Sequence, residues 1–280
     1  MAIYAQKRAY GSPLLLGTSM VDLLAAPNEN DEATLAFVRT WFGNVVSAAT
    51  IPSPGGILIH CSDAHLIPTN PTSRQYLDNR GNTVINAPSP PPGISLTANA
   101  CGGFAKGFTY QAAANQIIIL CSDSGKGALI SSFTPSLDNY RTSGDLRIGP
   151  GVSENGLDIL GMWLSTVILH ELMHAASFAQ QLGTFQLGQF PATLPDMVNG
   201  ATVGEIYQFT PISGKQLGAS TSTGQSTANN LQHNADSFAL LAASWYLPPY
   251  AWVNGQCRKI SAINQAPLVY TNTLPPPGQS

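Results

Sequence analysis

Two histidines and a glutamate, His170-Glu171-Leu172-Met173-His174, stand inside an otherwise apolar stretch that runs from Leu157 to Leu169 and continues through Ala175-Ala176-Ser177-Phe178-Ala179. Apolar residues at this spacing predict a helix facing a core. Residues four apart on a helix lie one above the other, so both imidazoles reach one metal ion, and Glu171, one position on, points toward a water on that ion. Two core histidines satisfied by backbone carbonyls are the competing reading, but burying polar groups without such partners costs roughly 2–7 kcal/mol each. A buried metal centre is the better expectation. Zinc suits it, because zinc takes nitrogen and oxygen ligands, keeps a position open and lowers the pKa of its water to about 7.

Composition bounds the rest. The chain has 280 residues, 44% of them hydrophobic and 10% charged, with a net charge of −3. That length buries a core unaided, and no internal repeat divides it, so residues 1–280 read as one domain. The absence of a basic surface argues against nucleic acid or an anionic membrane as partner. No uncharged apolar run approaches the roughly 18 residues of a membrane span, since Asp158 interrupts the longest one. A soluble monomer acting on a protein or peptide is expected.

Cys61, Cys101, Cys121 and Cys257 are an even number without a C-x-x-C pair, which favours two disulfides over a thiolate zinc site and points to secretion. Cys101 and Cys121 bracket a loop of about 20 residues, so that pair is preferred, leaving Cys61 for Cys257. Residues 1–8 have no basic segment followed by an apolar one, so the secreted expectation rests on the cysteines.

The run from Asp31 to Val46 opens with acidic residues and continues with helical spacing, predicting an early helix. Gly56-Ile57-Leu58-Ile59-His60-Cys61 and Asn115-Gln116-Ile117-Ile118-Ile119-Leu120-Cys121 predict strands. Between them the Pro-rich segment 87–93 is expected to be an exposed loop, the Ser/Thr/Gly-rich segment 218–227 a second loop, and the tail 274–280 frayed. Asn234 to Leu247 predicts a last helix, capped by Asn234 and stopped by Pro248-Pro249. The fold class is then α+β: mainly helical, with a small β-sheet in the first half and the histidine helix packed on the C-terminal helix.

Two histidines do not complete a catalytic zinc site, which normally has three protein ligands. A metzincin would place Gly and His at the third and sixth positions after the second histidine. Ser177 and Gln180 stand there, so that class is excluded. Downstream of His174 the inventory is Asp196, Glu205, Asp236 and His233, and a carboxylate is the expected third ligand. His233 reads most simply as a surface residue, and His60 and His65 as ordinary strand-end and loop residues.

The pairing of His170-Glu171-Leu172-Met173-His174 with Asn234-Ala235-Asp236-Ser237-Phe238-Ala239-Leu240 resembles the deuterolysin-type aspzincins and their fungal secreted relatives, the lysine-specific metallo-endopeptidase-like group. The resemblance covers roughly residues 150 to 247. It implies a zincin-like catalytic domain with an Asp-x-x-Tyr-Gly element supplying the third ligand. Thr202-Val203-Gly204-Glu205-Ile206-Tyr207-Gln208-Phe209 lies in its place but puts Gly204 where the Asp belongs. Glu205, one residue away, and Asp196, which keeps the residue type, are the two alternatives. The resemblance implies that Tyr207 donates to the oxyanion and that Asp236 orients a zinc-bound histidine from the second helix. The alternative for Tyr207 is a core aromatic, and for Asp236 a carboxylate that only favours the helix dipole.

The expected activity is zinc-dependent hydrolysis of peptide bonds, with Glu171 as general base and later proton donor to the leaving amine. The competing class is a secreted, non-catalytic zinc-binding or surface-interaction protein with a degenerate site. Glu171 favours the enzyme, since a pure binding site needs no carboxylate facing the metal's water.

Overall fold

The computed structural model describes residues 19–28, 31–51, 55–70, 72–90, 93, 99–121, 157, 160, 161, 163–181, 234–247, 250–253 and 256–259, with Ala2 and Ala5 near the start; for 19, 177–181, 250–253 and 256–259 it describes the backbone alone. In chain order these hold helices α1 (Ser19–Leu24) and α2 (Glu32–Ala48), strands β1 (Ile57–His60), β2 (Leu66–Asn70), β3 (Gln75–Asp78), β4 (Thr83–Asn86), β5 (Gly107–Ala112) and β6 (Asn115–Leu120), helices α3 (Leu164–Gln181) and α4 (Ala235–Tyr246), and strands β7 (Tyr250–Val253) and β8 (Gln256–Lys259). This is an α+β arrangement. The segments 218–227 and 274–280 lie outside the described residues.

Helix α2 begins where Asp31 accepts from the backbone N–H of Thr34 at 2.8 Å and from its hydroxyl at 2.6 Å. Such a cap contributes about 1 kcal/mol. Its apolar face, including Leu35, Val38, Trp41, Phe42 and Val45, is buried. Helix α4 is buried at every position from Ala235 to Trp245. A helix apolar all round belongs at the centre of a core, and Phe238 accordingly packs against Phe37 and Phe42, with ring centroids 5.9 Å from each. Asn234 sits at the N-cap with extended backbone, but its amide donates to Ser237 Oγ (2.9 Å) instead of accepting from the helix.

The apolar run before the motif does not form one helix from Leu157. A turn closes from Gly161 N–H to the Leu157 carbonyl, and α3 starts at Leu164. Helix α3 then packs on α2 and α4 on one side and on β5 and β6 on the other.

The sheet against α3 has the order β1-β6-β5, with β1 parallel and β5 antiparallel to β6. Strand β6 is apolar on both faces because both are covered. Ile118 and Leu120 join Val167 and Ala175 under α3, while Ile117 and Ile119 face a second cluster with Tyr76, Ile85, Phe108 and Tyr110. That second cluster is shared with another antiparallel sheet, β2-β3-β4. Strands β7 and β8 pair antiparallel and complete the strands among the described residues.

A single small sheet therefore understates the β content. Pro68 lies within β2, and proline is tolerated there because β2 is an edge strand with an irregular register at that point. The connection between β5 and β6 is Ala113-Ala114, with Ala113 at φ +52°, in place of the Asn-Gly or Asp-Gly that marks a hairpin in sequence. The described part of the Pro-rich segment, 87–90 and 93, is irregular, as expected, but not simply exposed. Ala87 is buried, and the Pro88 carbonyl accepts from Arg74 Nε at 2.8 Å.

Cys101 and Cys121 form a disulfide across 20 residues. Cys61 is exposed and free, so the expected bridge from Cys61 to Cys257 is not formed. Its position just past the end of β1 leaves it on the surface. No described helix is long and apolar enough to cross a membrane.

Candidate active site

Helix α3 carries His170, Glu171 and His174 on its inward side, all three at most 9% exposed. The Nε2 atoms of the two histidines are 3.2 Å apart, with ring centroids at 4.9 Å. On the opposite edge of His170, Nδ1 lies 3.2 Å from Asp236 Oδ1, in the first turn of α4. A carboxylate there accepts a hydrogen bond from Nδ1–H, and with the proton held on Nδ1 the neutral ring keeps its lone pair on Nε2. Two ligands of a tetrahedral zinc, each at 2.0–2.1 Å, stand about 3.3 Å from one another. The observed nitrogen spacing fits that geometry. The donor set of two imidazoles, one backed by a carboxylate, fits it as well.

Glu171 is turned toward β5. Period-two alternation puts Gly107 and Thr109 on the α3 side of that strand and Phe108 and Tyr110 on the other. Thr109 Oγ1 donates to Glu171 Oε2 at 2.7 Å and lies 3.2 Å from the Glu171 carbonyl oxygen. A Cβ on Gly107 would meet Glu171 Oε1 at 3.0 Å and the Ile119 carbonyl at 3.0 Å. Only a residue without a side chain lets the carboxylate lie this close to the strand. Next to it, burial pulls the Lys106 ammonium below the ordinary lysine range, while the Asp236 carboxylate acts the other way.

Three of the residues singled out in sequence, His170, His174 and Asp236, are thus brought together by two helices, and Glu171 lies at the seam with the sheet. Asp196, Glu205, Tyr207 and His233 lie outside the described residues. Among the described residues no three His, Cys, Asp or Glu side chains gather around one point. Thr109, Gly107 and Lys106 escaped the sequence reading. The alternation in Gly107-Phe108-Thr109-Tyr110 is a strand signal, but nothing local says which helix that strand will touch.

Comparison with known proteins returns no match: no family model fits the chain, and no curated protein or solved structure resembles it significantly.

Proposed function

We propose that the protein is a zinc-dependent metallo-endopeptidase of the deuterolysin-like kind, with a zincin-like domain. The observation that carries this reading is the 3.2 Å approach of His170 Nε2 to His174 Nε2, with Asp236 on the far nitrogen of His170. Zinc held by this pair would supply Lewis acidity toward a scissile carbonyl and would lower the pKa of a bound water to about 7. His170 and His174 would hold it through Nε2, with Asp236 fixing the tautomer and orientation of His170. A carboxylate, Glu205 or Asp196, would complete the protein ligands. Glu171 takes a proton from the attacking water and returns it to the departing amine as the C–N bond breaks. Thr109 restricts the rotation of the Glu171 carboxylate, so one oxygen stays committed to the strand while the other serves the proton. Tyr207 is assigned to the oxyanion by resemblance alone.

The disulfide between Cys101 and Cys121 supports folding in an oxidising compartment, in keeping with secretion. The substrate is a protein or peptide, with no nucleic acid or membrane involved.

The test is a pair of measurements on one set of variants. Wild type is expected to hold one zinc per chain and to cleave a denatured protein substrate. His170→Ala and His174→Ala lose both. Glu171→Gln keeps the zinc and loses hydrolysis by 10²–10⁴-fold, because the amide preserves shape but takes no proton. Zinc analysis of Glu205→Ala and Asp196→Ala identifies the third ligand. Wild type that binds zinc but hydrolyses nothing would replace the peptidase with the zinc-binding protein, and wild type that takes up no zinc would remove both.

A further inference from the structure

A second pair of histidines lies on the other face of β5. His60 ends β1 and His65 precedes β2, and their ring centroids are 4.9 Å apart at an interplanar angle of 58°. That separation equals the 4.9 Å between His170 and His174. The protonation pattern of His65 follows from its partners. Tyr110 donates its hydroxyl to Asp78 Oδ2 at 2.9 Å, so its oxygen is left to accept from His65 Nε2 at 3.1 Å. His65 therefore carries its proton on Nε2 and keeps a lone pair on Nδ1. Carboxylate, phenol and imidazole form the kind of chain that orients metal-ligating histidines. Asp78 is itself fixed by the Arg80 backbone N–H at 2.9 Å and is buried.

Arg80 Nη1 lies 3.0 Å from Nδ1 and 2.9 Å from Nε2 of His60. An atom that close to both nitrogens of one imidazole would overlap a ring carbon if it lay in the ring plane. The guanidinium must therefore lie over the ring face, as arginine commonly stacks. Stacking does not consume the in-plane lone pair of His60. Burial first, and then the Arg80 charge, hold both imidazoles below their ordinary pKa.

We propose that His60 and His65 form a second metal site, at the surface, for a divalent transition cation that accepts imidazole, such as Zn²⁺ or Ni²⁺. No third His, Cys, Asp or Glu joins the pair among the described residues, so water fills the remaining positions and the site is the weaker of the two. Arg80, exposed and free to swing away from its stacked position, is the built-in opponent: its charge must retreat when the metal arrives. The site joins the end of β1 to the β2-β3-β4 sheet through Tyr110 and Asp78. It does not depend on what His170 and His174 bind.

The test is a Zn²⁺ and Ni²⁺ titration of the full chain by calorimetry. Wild type is expected to bind a second, weaker equivalent, which His60→Gln and His65→Gln each remove while leaving the stronger one. Tyr110→Phe weakens the second site 10–100-fold by releasing the tautomer of His65. Arg80→Gln, an exposed change that threatens no fold, tightens it severalfold. The same stoichiometry and affinities in wild type, His60→Gln and His65→Gln would overturn the proposal, and so would an Arg80→Gln variant of unchanged affinity. Retention of the stronger site in His170→Ala, with the weaker one still removed by His60→Gln, would count against the zinc peptidase alone.

Discussion

Thr109 and Glu171 form the contact on which the catalytic proposal is most exposed. A hydroxyl donates to a buried carboxylate at 2.7 Å, and a hydrogen bond to a charged group contributes about 1.5–3 kcal/mol. Thr109→Val removes the donor while keeping the shape. It is expected to lower the denaturant midpoint by that amount of stability and to slow hydrolysis at unchanged zinc content, with Thr109→Ser restoring both. The surface histidines make a separate prediction at this scale. Burial and Arg80 hold His60 and His65 below the ordinary 6.5, so between their folded values and 6.5 the unfolded chain binds more protons than the folded one. Stability then falls as pH drops through 6.5 toward those values and levels off below them. Urea unfolding at pH 5.5 and 7.5 should show a smaller difference in His60→Gln/His65→Gln than in wild type. By contrast, burial and the Asp78 carboxylate push the Tyr110 phenol above the ordinary tyrosine range, so it stays protonated throughout.

Strand β5 is the element that ties the parts together. One face holds Gly107 and Thr109 against α3, and the other holds Phe108 and Tyr110 in the cluster shared with the β2-β3-β4 sheet. Gly107→Ala tests how tightly strand and helix fit. The new methyl would stand 3.0 Å from a backbone oxygen of β6 as well as from Glu171, and the backbone has little freedom to yield. Overpacking of this kind costs about 1–3 kcal/mol. The unfolding midpoint should drop accordingly, whereas an unchanged midpoint would mean that strand and helix part easily. Among the helices, α4 shows how burial replaces local signals: its N-cap residue makes no cap hydrogen bond, yet every position up to Trp245 is covered.

For the whole molecule, two packed regions meet at β6, the helical core on one side and the strand-rich cluster on the other. The disulfide between Cys101 and Cys121 closes the loop that contains β5 and β6. A loop of about 20 residues restrains the unfolded chain by about 3 kcal/mol. Replacing both cysteines by serine is expected to lower stability by 2–5 kcal/mol, read from denaturant unfolding. In the native wild type, Cys61 should react promptly with a thiol reagent, since it is exposed and unbonded.

The motif at 170–174, the helices over α2 and α4 and the strands β1 and β6 were legible in the sequence because each is specified locally, by a period, a cap or an apolar run. The pairing of Cys101 with Cys121 was legible too, from loop length. What a period cannot carry is which elements meet. That Asp236 reaches His170, that Thr109 holds Glu171, and that Tyr110 joins His65 to Asp78 all depend on contacts between residues 32 to 66 positions apart. Strands β2 to β4 stayed hidden because they are short, polar on one side and, in β2, interrupted by Pro68. Cys61 was paired by counting, and the fold left it alone on the surface. The sequence by itself determined the chemistry of the candidate metal pair. Only tertiary packing decided which carboxylate, hydroxyl and glycine surround it, because those partners are selected by burial against one another and not by any neighbour in the chain.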